Sequence, residues 1–386
     1  MAQLLLLLGI LVALLLGLKA VLRVFHLPPV SGYLVVGWLL RLIGEQLGLI
    51  TPRLETALLV LANIGISLLL FHVGLETHLK RLTRYLGRAG IVAASNIAVS
   101  GLLGFLTAYF FGLSLAASLF VGTALTATSI AIATGAWPDA EPTATPRRSI
   151  LLDLVIIDDI VAILLMALLF SLIPFDQLDG ALVWKDLGLF ALKFAGLILL
   201  CYLFARFVEP TLVKEVIKYE RMPDSMLTVL GLGLIIASIA ALLGFSFALG
   251  AFFAGIAFSR DPRAVRMDAS MLTVRDLFVP FFFFFIGFQA SLISLEGAWL
   301  FAIFLLLAAV AGKFLGTWIP GMLVGLSSSD AALVGLATIP RASIALVIIE
   351  RGLEIGVVPE VAYTAIVLIS LITCIATPLL LRRATT

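Results

Sequence analysis

Apolar residues run through this chain in blocks of about twenty, set apart by short polar stretches, a pattern that fits neither the alternation of a half-buried strand nor the narrow stripe of a surface helix. Thirteen such blocks lie near residues 2–22, 28–49, 56–75, 89–111, 114–136, 149–172, 186–208, 225–243, 245–259, 273–295, 298–322, 330–350 and 359–381. The pattern predicts an all-α polytopic membrane protein of about thirteen transmembrane helices; a porin-type barrel is excluded because its strands alternate polar and apolar. The first block has no basic start and no small-residue cleavage site, and Lys19 and Arg23 follow it. It therefore reads as a retained helix and not as a signal peptide. Its Gly9, Ala13 and Gly17 recur every four residues, a stripe that lets a neighbour or a second protomer approach closely and that chance placement in an apolar helix also produces.

Composition sharpens the picture. Of 386 residues 62% are hydrophobic and only 12% charged, with a mean hydropathy of +1.20, far from the balance of a soluble domain, a disordered segment, a collagen or a disulfide scaffold. The net charge of +2 makes nucleic acid an unexpected partner. Cys201 and Cys374 stand in different apolar runs without Cys-x-x-Cys or Cys/His clustering, so they read as small buried hydrophobes, with no disulfide, metal or cofactor expected.

The placement of the basic residues sets the topology. In alternate loops lie Lys19, Arg23, Lys80, Arg81, Arg84, Arg88, Arg147, Arg148, Arg206, Lys214, Lys218, Arg221, Arg260, Arg263, Arg266, Arg275, Arg382 and Arg383, against only Arg41, Arg53, Lys185 and Arg351 in the others. Eighteen against four puts the C-terminus in the cytoplasm and, with thirteen spans, the N-terminus outside. Lys193, Lys313 and Arg341 fall within spans; Lys193, near a helix end, is expected to reach the interface.

Ala127-Thr128-Ser129-Ile130-Ala131-Ile132 in the fifth span resembles Arg341-Ala342-Ser343-Ile344-Ala345-Leu346 in the twelfth, 214 residues later. Seven spans is an odd offset, so the copies cross in opposite directions, the mark of an inverted-topology repeat in secondary transporters. Both segments make poor continuous helices, one strung with Thr123, Thr126, Thr128 and Ser129, the other holding Pro340 and Arg341 after Thr338. Proline removes a donor and hydroxyls take over backbone bonds, so two discontinuous helices are expected there, where unwound backbone lines a cavity and half-helix ends hold ions. A proline kink sealed by neighbouring helices is the simpler alternative.

Asp158 and Asp159 stand halfway through the sixth span, between Leu154-Val155-Ile156-Ile157 and Ile160-Val161-Ala162-Ile163-Leu164. Two carboxylates at the bilayer centre are costly, so the pair marks a functional site. Adjacent residues point about 100° apart on a helix, so one can face a water-filled cavity while the other meets a partner, and Lys313 at mid-depth is the candidate. Burial penalises the charge on each group and pairing restores it; a site held between the two is suited to trading a proton for a metal cation. An Asp–Lys pair that only fixes packing accounts for one carboxylate and leaves the other without a purpose.

These residues resemble the second family of monovalent cation:proton antiporters, most closely the bacterial NapA-type sodium/proton antiporters and more distantly the Kef-type potassium-efflux systems. The resemblance is carried by Phe71-His72-Val73-Gly74-Leu75-Glu76-Thr77, Ala127-Thr128-Ser129, Asp158-Asp159, Leu249-Gly250-Ala251-Phe252, Gly312-Lys313 and Pro340-Arg341, in the family's order and across nearly the whole chain. It implies an NhaA-like fold: dimerisation helices in 1–85 and 223–296, a mobile core in 86–175 and 297–386, and a linker in 176–222. It also implies exchange of Na⁺ or Li⁺ for protons in a lipid bilayer, by a homodimer whose cores slide. Asp159 would carry the ion or proton with Thr128 and Ser129 beside it, and Asp158 would pair with Lys313 when no sodium is bound. A bacterial inner membrane is the implied location.

Two departures stand out. The family's Pro-Arg-Gly-Glu reads Pro340-Arg341-Ala342-Ser343 here, which leaves the partner of Arg341 open, with Glu76 a candidate, and His72 replaces an apolar residue one turn before Glu76. A histidine there either tunes a pH response or is a hydrogen-bonded core residue. The regulatory domain of many Kef-type relatives is not in the sequence, which ends at Thr386 just after the last span, so the protein works without one or the sequence is cut before it. Three other functions are compatible with part of the pattern: potassium/proton exchange, since spacing does not encode cavity size; a channel built on the same half-helices; and an intramembrane aspartyl protease, which needs its aspartates on different helices and a Gly-x-Gly-Asp motif that is absent. No other enzyme chemistry is expected.

Overall fold

The structure, a computed structural model, describes residues 2–25, 27–46, 48, 50–77, 87–129, 132–133, 145–172, 180–208, 224–259 and 262–385. Among these the regular structure is helical throughout. The α-helices are α1 (Ala2–Val24), α2 (Pro29–Gln46), α3 (Pro52–Glu76), α4 (Arg88–Phe110), α5 (Leu115–Thr126), α6 (Pro146–Leu172), α7 (Gly180–Leu203), α8 (Asp224–Leu242), α9 (Phe247–Phe258), α10 (Pro262–Gln289), α11 (Trp299–Leu323), α12 (Ser328–Ala337), α13 (Ser343–Glu354) and α14 (Glu360–Thr385). A π-helical turn, Phe204–Val208, ends α7. Among the described residues seven segments are long and apolar enough to cross a membrane, including Arg88–Phe110 in α4, Trp299–Leu323 in α11 and Glu360–Ala384 in α14. Among the other apolar blocks the sixth holds α6, 27 residues long, and the twelfth is divided between α12 and α13.

Three of the connections use one chemical device. Phe111-Gly112-Leu113-Ser114, Leu243-Gly244-Phe245-Ser246 and Val324-Gly325-Leu326-Ser327 each end one helix and start the next. In each, glycine takes a positive φ (86°, 94° and 98°), which releases the helix end at no steric cost. The serine two residues on accepts the backbone N–H three residues ahead, from Ala117, Leu249 and Asp330 respectively, and so caps the following helix. The α4–α5 and α11–α12 copies each stand one short helix ahead of one of the two matched segments, which extends the likeness beyond the six residues legible as a match.

The chain divides into two compact units, one of residues 1–51, 81–166 and 283–386 and one of 52–80 and 167–282. In the first, α4 and α11 pack along most of their length because α11 has glycine where the helices meet. A Cβ at Gly312 would lie 2.7 Å from the Ser100 Cα, and one at Gly316 3.0 Å from the Asn96 Cα. Val92, Leu151, Leu154, Val334, Ala337 and Leu381 form a buried cluster joining α4, α6, α12 and α14. Leu300, Ile303, Phe304 and Leu307 on the opposite side of α11 are exposed, the surface a bilayer covers.

In the second unit α3 and α9 approach closely enough that Gly74 and Gly255 each leave no room for a side chain against the other helix's backbone. Gly250 does the same for α9 against Ala237 of α8. The Phe71–Thr77 and Leu249–Phe252 motifs thus have a packing role that accounts for their glycines.

Candidate functional site

The site is built where two helices stop in mid-course. The chain α5 ends at Thr126 and turns extended at Ala127 (φ −70°, ψ 146°), while α12 ends at Ala337 and α13 begins only at Ser343, after Ala342 at φ −145°, ψ −99°. The Thr126 and Thr338 hydroxyls donate to the carbonyls of Thr123 and Gly335, each at 2.8 Å, so side chains occupy acceptors in the closing turns. The two extended strands of backbone then meet: the Ser129 N–H donates to the Pro340 carbonyl at 2.9 Å.

Helix ends leave carbonyls without intrahelical donors and carry partial negative charge, and two buried cations serve them. The fully buried Arg341 donates to Leu125 O (3.1 Å), Ala309 O (2.8 Å) and Ile339 O (3.2 Å), tying the ends of α5 and α12 to α11. Its own carbonyl accepts from the Cys374 thiol at 3.1 Å. Lys313, also fully buried, donates to Thr126 O, again at the end of α5.

Lys313 forms the principal ion pair, with its Nζ 2.7 Å from Asp158 Oδ2 and both side chains wholly buried. The same oxygen accepts the Thr128 hydroxyl at 2.7 Å. Asp159, on the next residue of α6, retains 8% exposure. Asn96 on α4 completes the group: its Oδ1 accepts from Lys313 Nζ at 2.5 Å, and its Nδ2 donates to Thr317 Oγ1 at 2.5 Å. Thr317 Oγ1 is in turn 3.3 Å from Thr338 Oγ1. One turn of α11 thus carries Lys313 and Thr317 to one asparagine, which the glycines at 312 and 316 make reachable.

Of the residues singled out from sequence, Asp158, Thr128 and Lys313 are in direct contact, with Ser129 and Arg341 at the adjoining backbone crossing. The partners of Arg341 are main-chain carbonyls. His72, buried on α3, and Glu76, whose side chain lies outside the described residues, belong to the other compact unit. Residues 130–131 and 134–136 of the fifth span fall outside the described residues. Sequence reading missed Asn96, Thr317 and Thr338 as members of the network; the one available signal was an amide and a serine side by side, Ser95-Asn96, inside an apolar span.

A buried carboxylate pair, a lysine and two unwound helix ends form an arrangement with the chemistry to hold a small cation against protein charge. The family model described as sodium/hydrogen exchanger, transmembrane, matches residues 10–384. The chain belongs to this family. A sodium/hydrogen exchanger is an integral membrane protein, and the antiporter resemblance read from the motifs holds at the level of the family. Among similar proteins, the Na⁺/H⁺ antiporter of Enterococcus hirae is 28% identical over 93% of this chain and 92% of its own length. The Na⁺/H⁺-K⁺ antiporter GerN of Bacillus cereus is 27% identical over 95% of this chain and 90% of its own. The solved structure of the sodium proton antiporter MjNhaP1 from Methanocaldococcus jannaschii at pH 8 aligns with a TM-score of 0.71 at 17% identity, over 100% of this exchanger and 96% of that chain. The sodium/hydrogen exchanger described here thus has that antiporter's fold.

Proposed function

We propose that this protein exchanges Na⁺ or Li⁺ for protons, with Asp159 as the carrier of the ion or proton and Asp158 bound to Lys313 when no cation is present. The observation that carries the reading is the wholly buried Lys313–Asp158 pair, placed beside a second carboxylate and two chain breaks. A cation entering between the carboxylates competes with the ammonium and with protons for the same oxygens. Cation and proton therefore occupy the site in turn and are not carried together. Thr128 and Ser129, at the first break, are the proposed neutral oxygen ligands. The names of the relatives from Enterococcus hirae and Bacillus cereus support this class of exchange.

The proposed setting is a bacterial inner membrane crossed thirteen times, N-terminus outside, by a homodimer. Spans 4–6 and 11–13 would move as the core to give alternating access, spans 1–3 and 8–10 would form the dimer, and span 7 would link them. The relative named for both Na⁺ and K⁺ keeps potassium/proton exchange as the second reading. The test is proton flux in proteoliposomes under an imposed pH gradient, with Na⁺, Li⁺ and K⁺ added in turn. Collapse by Na⁺ or Li⁺ is the expected result; collapse by K⁺ alone moves the protein to the second reading, and silence for all three rejects both.

A further inference from the structure

The ammonium of a lysine has three protons to donate, and in this protein all three have acceptors: Asp158 Oδ2, Asn96 Oδ1 and Thr126 O. Only the first is a charge that a cation could claim. The other two belong to α4 and to the end of α5, and they remain in place when a cation takes the carboxylate. Lys313 has no exposure at all, so an ammonium turned away from Asp158 finds no water to replace what it loses, and each acceptor left to it weighs heavily.

Asn96 is built for this task. Its Nδ2 donates to Thr317 Oγ1 at 2.5 Å and reaches the Lys313 carbonyl at 3.4 Å, which fixes the amide so that its oxygen, not its nitrogen, faces the ammonium. The side chain is wholly buried, and the close approach of α4 to α11 at Gly312 and Gly316 sets its reach. An asparagine that served only to join two helices would be satisfied by Thr317. Here the amide oxygen is committed to the lysine.

We propose that Asn96 is a positioning residue that keeps hold of the Lys313 ammonium when a cation displaces it from Asp158, and that it thereby sets the apparent affinity for the transported cation. The inference rests on the exchange reading above and adds a residue to it. With Asn96 present, the displaced lysine keeps two of its three acceptors. Without it, one remains, and the cation-bound state rises in energy more than the lysine–aspartate state does. A carboxylate at this position acts in the opposite sense, because it offers the displaced ammonium a full counter-charge.

The test is the initial rate of cation-driven proton flux at one pH, over a range of Na⁺ concentrations, in proteoliposomes of the full chain. Asn96→Ala is expected to raise the half-saturating Na⁺ concentration by about tenfold or more, the scale of a lost hydrogen bond to a charged group. Asn96→Asp, of nearly identical shape, is expected to lower it. Thr317→Val, which removes the hydroxyl that aims the amide and does not touch the ammonium, is expected to raise it by less than Asn96→Ala. If Asn96→Ala does not fold, the isosteric Asn96→Asp and Thr317→Val carry the test. Half-saturation staying within about twofold of wild type while the maximal rate falls is what a purely structural role gives, and it overturns the inference. So does movement of Asn96→Ala and Asn96→Asp in the same direction. A wild type that moves no cation overturns the exchange reading and this inference with it, whereas a working wild type with unmoved variants overturns this inference alone.

Discussion

Ser129 and Pro340 are joined backbone to backbone at 2.9 Å, so the two interrupted helices of the inverted halves share one crossing point. Proline supplies the free acceptor at that point and the extended chain after Thr126 supplies the donor. The crossing is held by hydrogen bonds and not by packing alone, and it depends on the cations that serve the helix ends.

Arg341 is the first of these. It reaches carbonyls on α5, α11 and the end of α12 from nitrogens spread across a planar guanidinium, a span that the one nitrogen of a shorter lysine does not reproduce. Arg341→Lys is therefore expected to lower thermal stability in detergent almost as far as Arg341→Ala, each orphaned carbonyl costing about 1–3 kcal/mol. Full stability in Arg341→Lys would show that charge alone suffices.

Lys313 and Asp158 are the second. Removing one partner of a buried pair costs about 3–5 kcal/mol, whereas replacing both with neutral groups is often tolerated. Lys313→Met is expected to lower the melting temperature sharply, and Lys313→Met combined with Asp158→Asn to recover much of the loss. Additive losses in a double-mutant cycle would contradict the coupling.

The α4–α11 contact depends on missing side chains. Gly312→Ala places a methyl 2.7 Å from the Ser100 Cα, and forcing the helices apart is expected to cost about 1–3 kcal/mol. Gly196→Ala on α7, with nothing within 4 Å of the new atom, is the control expected not to lower stability. Equal melting temperatures for both variants would remove the argument from packing.

The Arg147–Asp330 pair joins the starts of α6 and α12 at 2.9 Å but is about one-third exposed on both sides. Water and salt screen it, so Arg147→Gln is expected to change stability by less than about 1 kcal/mol. A larger loss that persists in high salt would show that the pair is more protected than its exposure indicates.

Both chain breaks could be read from the sequence because their causes are local: hydroxyls strung through one apolar span, and a proline followed by arginine in another. The buried aspartates stood out for the same reason, as charges with no local excuse. The partners of Arg341 could not be read, because main-chain carbonyls leave no trace in residue type; the missing glutamate two residues later drew attention to Glu76 instead. Asn96 was passed over because its meaning depends on which helix lies across from α4, and that is decided by Gly312 and Gly316 more than 200 residues away. The glycine–serine connections were legible in principle, but each is a four-residue pattern that acquires significance only when its φ angles and caps are seen to agree.

In the proposed exchange one carboxylate, Asp159, carries the ion. Its most direct test is Na⁺-driven proton flux through Asp159→Asn and wild type in matched proteoliposomes, with Asp159→Asn shown to be folded. Wild type is expected to collapse the pH gradient and Asp159→Asn is not. Undiminished exchange through Asp159→Asn would contradict it.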